Sequence, residues 1–344
     1  MFKLKKWLAG ASVMASMALL QGASASEVTL RLHQFLPQNS SVPAMAITPW
    51  IEKVEKESNG RIKVQHYPLM QAGGVPGQLF DQARDGVVDI VWTALGYTPG
   101  RFPRSEVFEL PFMANKDAEK SSVAFHEFVT THAQEEFKDV KLLAVHVNGP
   151  GVLHTKTPVN TLEDLKGMRI RGASRIVNII LEQMGAVPVG MPAPAVGEAL
   201  SKGVISAASL QWEVVPALRI QQMVKHHTIT HGDRGLYTGT FAFVMNRNTY
   251  EKLPADLKKV IDNNSGPRVA ALFGRAMNEG DQRGLEAIKK EGNSIITLDS
   301  AETARWQRAT SRVRAMWYQD VGKRGINGEK LAADADALIA KHNK

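Results

Sequence analysis

Few side chains here stand in arrangements that could do chemistry, and the most suggestive is an arginine. The stretch 165–213 reads LKGMRIRGASRIVNIILEQMGAVPVGMPAPAVGEALSKGVISAASLQWE. Arg171 ends a short cationic strand candidate, Met168 to Arg171. A Gly172-Ala173-Ser174 turn follows, then an apolar segment, Ile176 to Met184, that can form a helix. An arginine at a strand end, with Gly and Ser at a helix start, is compatible with an anion site. Free N–H groups and the helix dipole would add to the guanidinium. The other candidates carry less. His226, His227 and His231 spell H-H-x-x-x-H, but Thr228-Ile229-Thr230 favours a strand, which spoils the one-turn spacing a zinc site would need. Asp81, Asp85 and Asp89 recur in steps of four, yet Gly86 divides them between a helix and a strand. No H-E-x-x-H, G-x-S-x-G or strand-following G-x-G-x-x-G occurs, and GGVPG at 73–77 lacks the Lys-Ser/Thr ending of a phosphate loop. The chain reads as a non-enzyme with no cofactor.

The elements that must position Arg171 alternate between strand and helix. After Arg171 and its helix come an extended run, 186–191, a short helix, 195–202, and a closing run, 204–210. This is an α/β lobe. The N-terminal part has the same logic: a strand at 28–35, a helix at 45–58 and a strand at 61–67. A short helix at 79–85 leads into a buried strand, Val87 to Trp92, with Tyr97 just beyond it. Ligands of open α/β sheets bind past such carboxyl ends, so Trp92 and Tyr97 are candidate walls, with core packing the alternative for Trp92. The strand 141–147 is broken by Asn148-Gly149-Pro150-Gly151, where the chain can change lobe. A helix is expected over 217–225, and the extended run 236–246 could cross back to the first lobe. Helix is expected over 257–290, interrupted at 263–266, and again over 302–322 and 330–341.

Length and composition bound the class. With 344 residues and 44% apolar side chains, the chain can build two domains or one large one. Residues 1–25 carry basic Lys3, Lys5 and Lys6, an apolar run from Trp7 to Leu20 and the small-residue exit Ala23-Ser24-Ala25. That is the order of a secretory signal peptide cleaved after Ala25, and the run is short for a membrane span. The formal charge is +8, from 42 Lys and Arg against 34 Asp and Glu. Without the three leader lysines it is about +5. So modest a charge, with no basic stripe, does not indicate nucleic acid. Cysteine is absent, which excludes disulfides, thiolate chemistry and Cys-based metal sites. An exported chain without disulfides fits a soluble protein of a bacterial periplasm.

A family resemblance enters at the arginine stretch. LEDLKGMRIRG at 162–172, GAVPVGM at 185–191 and the AL-x-x-G-V turn at 199–204 resemble the periplasmic binding subunits of TRAP transporters. These are tripartite, ATP-independent systems typified by C4-dicarboxylate uptake. The resemblance runs through the Gly-Gly segment, DGVVDI at 85–90, ELPF at 109–112 and TGTFAFVMN at 238–246. It implies a two-lobed periplasmic binding protein fold, with a cleft between the lobes, two crossovers and a long lobe-spanning helix. After the signal peptide 1–25, lobe I would be 26–149 plus 238–276, and lobe II 150–237 plus 277–344. Members close over an organic acid and deliver it to paired small and large membrane subunits. The family's carboxylate-clamping arginine matches Arg171, not Arg169, and a guanidinium can hold a carboxylate bidentately. Without the resemblance Arg171 reads as an ion-pair residue on the lobe surface. Arg169 and Arg175 read as structural or solvent-facing.

The departures bear on the ligand. Gly151 stands where many members carry a second arginine, with His154 nearby, and Ala193 stands where many carry an aromatic. Ser206, Ala207 and Leu210 replace the usual Asp-Gly and Asn. Fewer groups then remain to satisfy a second buried carboxylate, and Gly151 and Ala193 leave room for bulk. With Trp92, Tyr97, Trp212 and Tyr237 available as walls, the expected ligand is an organic monocarboxylate with an aromatic or branched part. The opposing expectation is that His33, Gln211 or His154 restores a dicarboxylate site. Trp212 fits either a pocket wall or hinge packing. A sensor-type binder of the same fold is the alternative to a transport receptor.

Overall fold

A computed structural model describes residues 28–343, so the expected leader and its cleavage site lie outside it. The chain forms two mixed sheets joined by crossovers. The strands are β1 (Val28–His33), β2 (Ile62–Tyr67), β3 (Ile90–Ala94), β4 (Val140–Val147), β5 (Val152–Thr155), β6 (Arg169–Gly172), β7 (Val187–Gly190), β8 (Ala207–Leu210), β9 (His226–Ile229), β10 (Thr240–Asn246) and β11 (Ser294–Thr297). The first sheet has the order β2-β1-β3-β10-β4 and the second β11-β9-β5-β8-β6-β7. Every residue of β10 is buried, as a central strand requires, whereas the edge strand β2 is only partly covered. β10 pairs antiparallel with both β3 and β4. The run expected to cross back therefore returns to an inner place in the first sheet, between β3 and β4, after most of the second has been laid down.

The helices are α1 (Thr48–Glu57), α2 (Leu79–Arg84), α3 (Ala118–His132), α4 (Arg175–Gln183), α5 (Val196–Ser201), α6 (Ile220–Met223), α7 (Arg247–Lys252), α8 (Ala255–Asn263), α9 (Pro267–Lys290), α10 (Ser300–Gly322) and α11 (Gly328–His342). The helix expected over 217–225 shrinks to α6, because Arg219 adopts a left-handed φ of 55° before it. The expected break at 263–266 is real: Gly266 takes a φ of 86°, and Pro267 then opens α9. The strand expected at 87–92 begins three residues later, after the turn that Gly86 makes at φ 76°. α3 packs on β4, and α11 packs on α3, while α10 packs on α4 of the other lobe. The segment after α9 therefore touches both lobes.

Among the described residues, besides the α10–α11 segment, two crossovers bonded to each other and the long helix α9 join the lobes. The first leaves β4 through Asn148 to Gly151, and the second runs through Tyr237 to Gly239 into β10. Asn148 Oδ1 accepts from the Gly239 N–H and the Thr238 hydroxyl, and the Gly151 N–H donates to the Tyr237 carbonyl. The third is α9, which packs on α3 and β4 at one end and on Trp212–Val214 at the other. Close approach there depends on missing side chains. A Cβ on Gly284 would lie 1.9 Å from the Trp212 carbonyl oxygen, and one on Gly280 would lie 2.7 Å from Glu213 Cβ.

Gly284→Ala should therefore destabilise the protein by about 1–3 kcal/mol, as overpacking against backbone does. Urea unfolding checks this, and an unchanged midpoint would show that α9 does not press on the Trp212 turn.

Candidate functional site

The carboxyl ends of β3 and β6 face each other across the cleft. Between them lies a cavity with about 40 Å³ of room for the centres of water-sized spheres. The first lobe lines it with Phe35, Trp92, Tyr97, Glu109 and Phe241, and the second with Arg171, Ser174, Ala193, Gln211 and Glu213.

Arg171 reaches this position because it is the third residue of β6, paired between β7 and β8. It is only 2% exposed. Its Nε donates to the Met191 carbonyl at 2.9 Å and its Nη1 to the Ser209 carbonyl at 2.8 Å. A guanidinium has five N–H donors, so even with the Tyr97 oxygen beside it some are left over. Among the described residues Arg171 has no carboxylate within ion-pair distance. The group is thus a buried cation, aimed by neutral carbonyls, with donors to spare beside a cavity. Below it the Ser174 hydroxyl accepts from the Val177 N–H and caps α4, the helix start expected from Gly172-Ala173-Ser174.

The apolar wall is a stack of flat rings. Trp92 lies between Phe35, at 4.9 Å and 8°, and Phe241, at 5.4 Å and 7°. Its Nε1 donates to His146 Nε2 at 2.8 Å. Burial pushes the His146 imidazole down to about 3, which keeps that nitrogen free to accept. Trp92 is therefore both core and wall. Tyr97 stands edge-on to Phe35, and its oxygen accepts from the Ala193 N–H across the cleft at 2.9 Å.

Two buried acids complete the lining. Glu109 Oε1 accepts from the N–H and hydroxyl of Thr240, while Oε2 is enclosed without a partner. Burial pushes its carboxyl up to about 7, against the pull of Ser174 and Thr240. Burial, then the nearby Asp281, pushes Glu213 up to about 8. Asp281, on α9, is itself pushed up to about 7 by burial. Glu213 Oε2 and Gln211 Nε2 are likewise enclosed without a partner.

Of the eight residues the sequence singled out, four line the cavity: Arg171, Trp92, Tyr97 and Gln211. The other four lie elsewhere. His33 has both ring nitrogens engaged, Nδ1 by Gln82 Oε1 at 2.7 Å and Nε2 by the Ala72 N–H at 3.3 Å. His154 sits behind the wall, its Nδ1 2.7 Å from that of His227. Trp212 packs edge-on against His154 and carries the turn that Gly284 approaches, so its place is hinge packing. Tyr237 bonds Ser209 Oγ, and its ring fills the space over Gly151, where a Cβ would come within 2.0 Å of it. The room expected at Gly151 is thus taken, whereas Ala193 does border the cavity.

The sequence reading missed Glu109 and Glu213. Glu109 lay within the quoted ELPF segment and Glu213 at the end of the arginine stretch, but a lone Glu defaults to the surface. Arg175, expected to be structural or solvent-facing, binds Glu106 through Nε at 3.1 Å and Nη2 at 2.5 Å, tying α4 to the first lobe. It also meets Asp320 on α10 at 2.8 Å. With Tyr97 and Ala193, this pair holds the lobes closed. Among the described residues, no cluster of three or more His, Asp or Glu could hold a metal.

Two α/β lobes around a cleft match a known family. The family model for the bacterial extracellular solute-binding proteins, family 7, matches residues 33–320. The chain belongs to this family. Its members include the solute-binding proteins of TRAP transporters, and solved relatives agree closely. A TRAP solute-binding protein from Rhodoferax ferrireducens, solved with copurified benzoate, is 47% identical, with a TM-score of 0.90 over 92% of this chain and 98% of that one. A marine metagenome TRAP protein specific for aromatic acid ligands, solved with 3-hydroxybenzoate, is 45% identical, with a TM-score of 0.91 over 93% and 100% of the two chains. The C4-dicarboxylate-binding periplasmic protein of Rhodobacter capsulatus is 26% identical over 94% of this chain and 96% of its own.

The buried acids of this family 7 protein set a pH dependence. Between its ordinary value of 4.5 and about 8, folded Glu213 holds a proton that the unfolded chain has lost. Its contribution to stability therefore falls as pH rises through that window. Glu213→Gln cannot ionise and should gain stability relative to the parent between about pH 5 and pH 9. Urea unfolding at both values measures this. An equal difference at the two would show that Glu213 ionises as a surface carboxyl does.

Proposed function

We propose that this protein is a periplasmic TRAP receptor for an aromatic monocarboxylate, exported by its leader and delivering its ligand to the small and large membrane subunits. The observation that carries this is a single buried guanidinium, with donors to spare and no carboxylate partner, at the edge of a ring-walled cavity. In this reading Arg171 clamps the carboxylate, Trp92, Tyr97, Phe35 and Phe241 flank the ring, and Gln211 supplies an amide donor. Ala193 leaves width where an aromatic side chain would narrow the slot. The two relatives solved with benzoate and 3-hydroxybenzoate support the same ligand class.

A short dicarboxylate fits this lining poorly. Its second carboxylate would need a cation, and among the described residues no other basic side chain lines the cavity. Glu109 and Glu213 would meet it instead, and an unpaired buried charge is costly. His33 and His154 do not reach the cavity to compensate.

Titration of the purified protein with benzoate and with succinate tests the reading. Benzoate should bind and succinate should bind at least about 100-fold more weakly, and Arg171→Ala should fold yet lose about 100-fold or more in benzoate affinity. Tighter binding of succinate, or an Arg171→Ala variant that titrates like the parent, would contradict it.

A further inference from the structure

The cavity has a second polar pole, and it belongs to Glu213. This residue is 6% exposed, and its Oε2 is enclosed without a hydrogen-bond partner. Among the described residues its side chain enters no ion pair, although Arg171 lines the same cavity. The backbone on either side is held firmly. Its N–H donates to Asp281 Oδ1 at 2.9 Å, and its carbonyl accepts from the Ser41 hydroxyl at 3.4 Å. Gly280 of α9 presses on its Cβ from behind. The carboxyl is thus positioned by its surroundings and satisfied by none of them.

Leaving a buried polar group unpaired is costly, so a site that keeps one beside its ligand is complete only when the ligand supplies the partner. We propose that Glu213 is a specificity-determining residue that pairs with a hydroxyl group on the ring, making a hydroxylated aromatic acid the preferred ligand. This rests on the aromatic-acid reading of the cavity and adds to it the substituent. A protonated carboxyl carries one donor and an acceptor on the same group, and a phenolic hydroxyl matches both. Burial and Asp281 keep Glu213 protonated at neutral pH. A second carboxylate at that place would face Glu213 with Asp281 behind it, whereas a hydroxyl brings no charge. Glu109 is the weaker candidate, since Thr240 already occupies its Oε1.

Calorimetric titration of the mature protein with benzoate, the three monohydroxybenzoates and their methyl ethers tests the assignment. At least one hydroxybenzoate should bind about tenfold tighter than benzoate, and its methyl ether, which cannot donate, should lose that advantage. Glu213→Leu should bring the hydroxybenzoate-to-benzoate ratio within about twofold, and Glu213→Gln, which keeps a donor and an acceptor, should preserve it. If Glu213→Leu does not fold, Glu213→Ala is read at the same ratio, while the ether comparison tests the need for a hydroxyl donor. Benzoate binding as tightly as every hydroxybenzoate, or an unchanged ratio in Glu213→Leu, would overturn the role of Glu213 while leaving the aromatic-acid reading in place. Failure of all these acids to bind would overturn both.

Discussion

The structure depends on one guanidinium taken out of water without a counter-ion. Arg171 is held by two backbone carbonyls, which satisfy part of its donor set and none of its charge. Burying a cation so is costly unless something anionic completes it. The neighbouring acids do not: burial pushes Glu109 and Glu213 up towards their neutral forms, and neither comes within ion-pair range. The cavity therefore retains a positive centre, and an organic anion is the natural complement. Both lobes serve this arrangement, one by bringing Arg171 to the end of β6, the other by facing it with a stack of rings on β3 and β10.

Closure follows from the same geometry. The Ala193 N–H reaches Tyr97 across the cleft, and Arg175 reaches Glu106. Both contacts join parts of opposite lobes, so both must break when the cleft opens. The two crossovers are bonded to each other through Asn148, which makes them one hinge element rather than two loose strands. α9 supplies a third connection, and Asp281 on it holds the Glu213 backbone. A ligand that contacts Arg171 on one side and the ring stack on the other favours the closed form by differential contact, which is how a binding protein of this type couples occupancy to shape.

Much of this was legible in the sequence, and the limits are physical. The strand–turn–helix around Arg171 could be read because Gly172 and Ser174 mark a turn and a cap, and the family resemblance then selected Arg171 over Arg169. Two lobes, the crossover at Asn148 and the interrupted helix ahead of α9 were visible through glycines, prolines and apolar runs. Trp92 and Trp212 could not be separated the same way. One lies in an apolar strand and the other just past one, and alternation says which residues share a face without saying which face meets a cleft. The space at Gly151 could not be read either, because Tyr237, 86 positions away, fills it. Glu109 and Glu213 escaped because burial of an acid is a tertiary fact with no local signature.

The central claim is that Arg171 closes its donor set on the carboxylate of one aromatic monocarboxylic acid. The most direct measurement is a crystal structure of the protein as purified, with its retained small molecule identified by mass spectrometry. The account predicts a ring beside Trp92 and a single carboxylate within hydrogen-bond distance of the spare Arg171 nitrogens. A dicarboxylate in that cavity, or an acid bound elsewhere with Arg171 still unpaired, would contradict it.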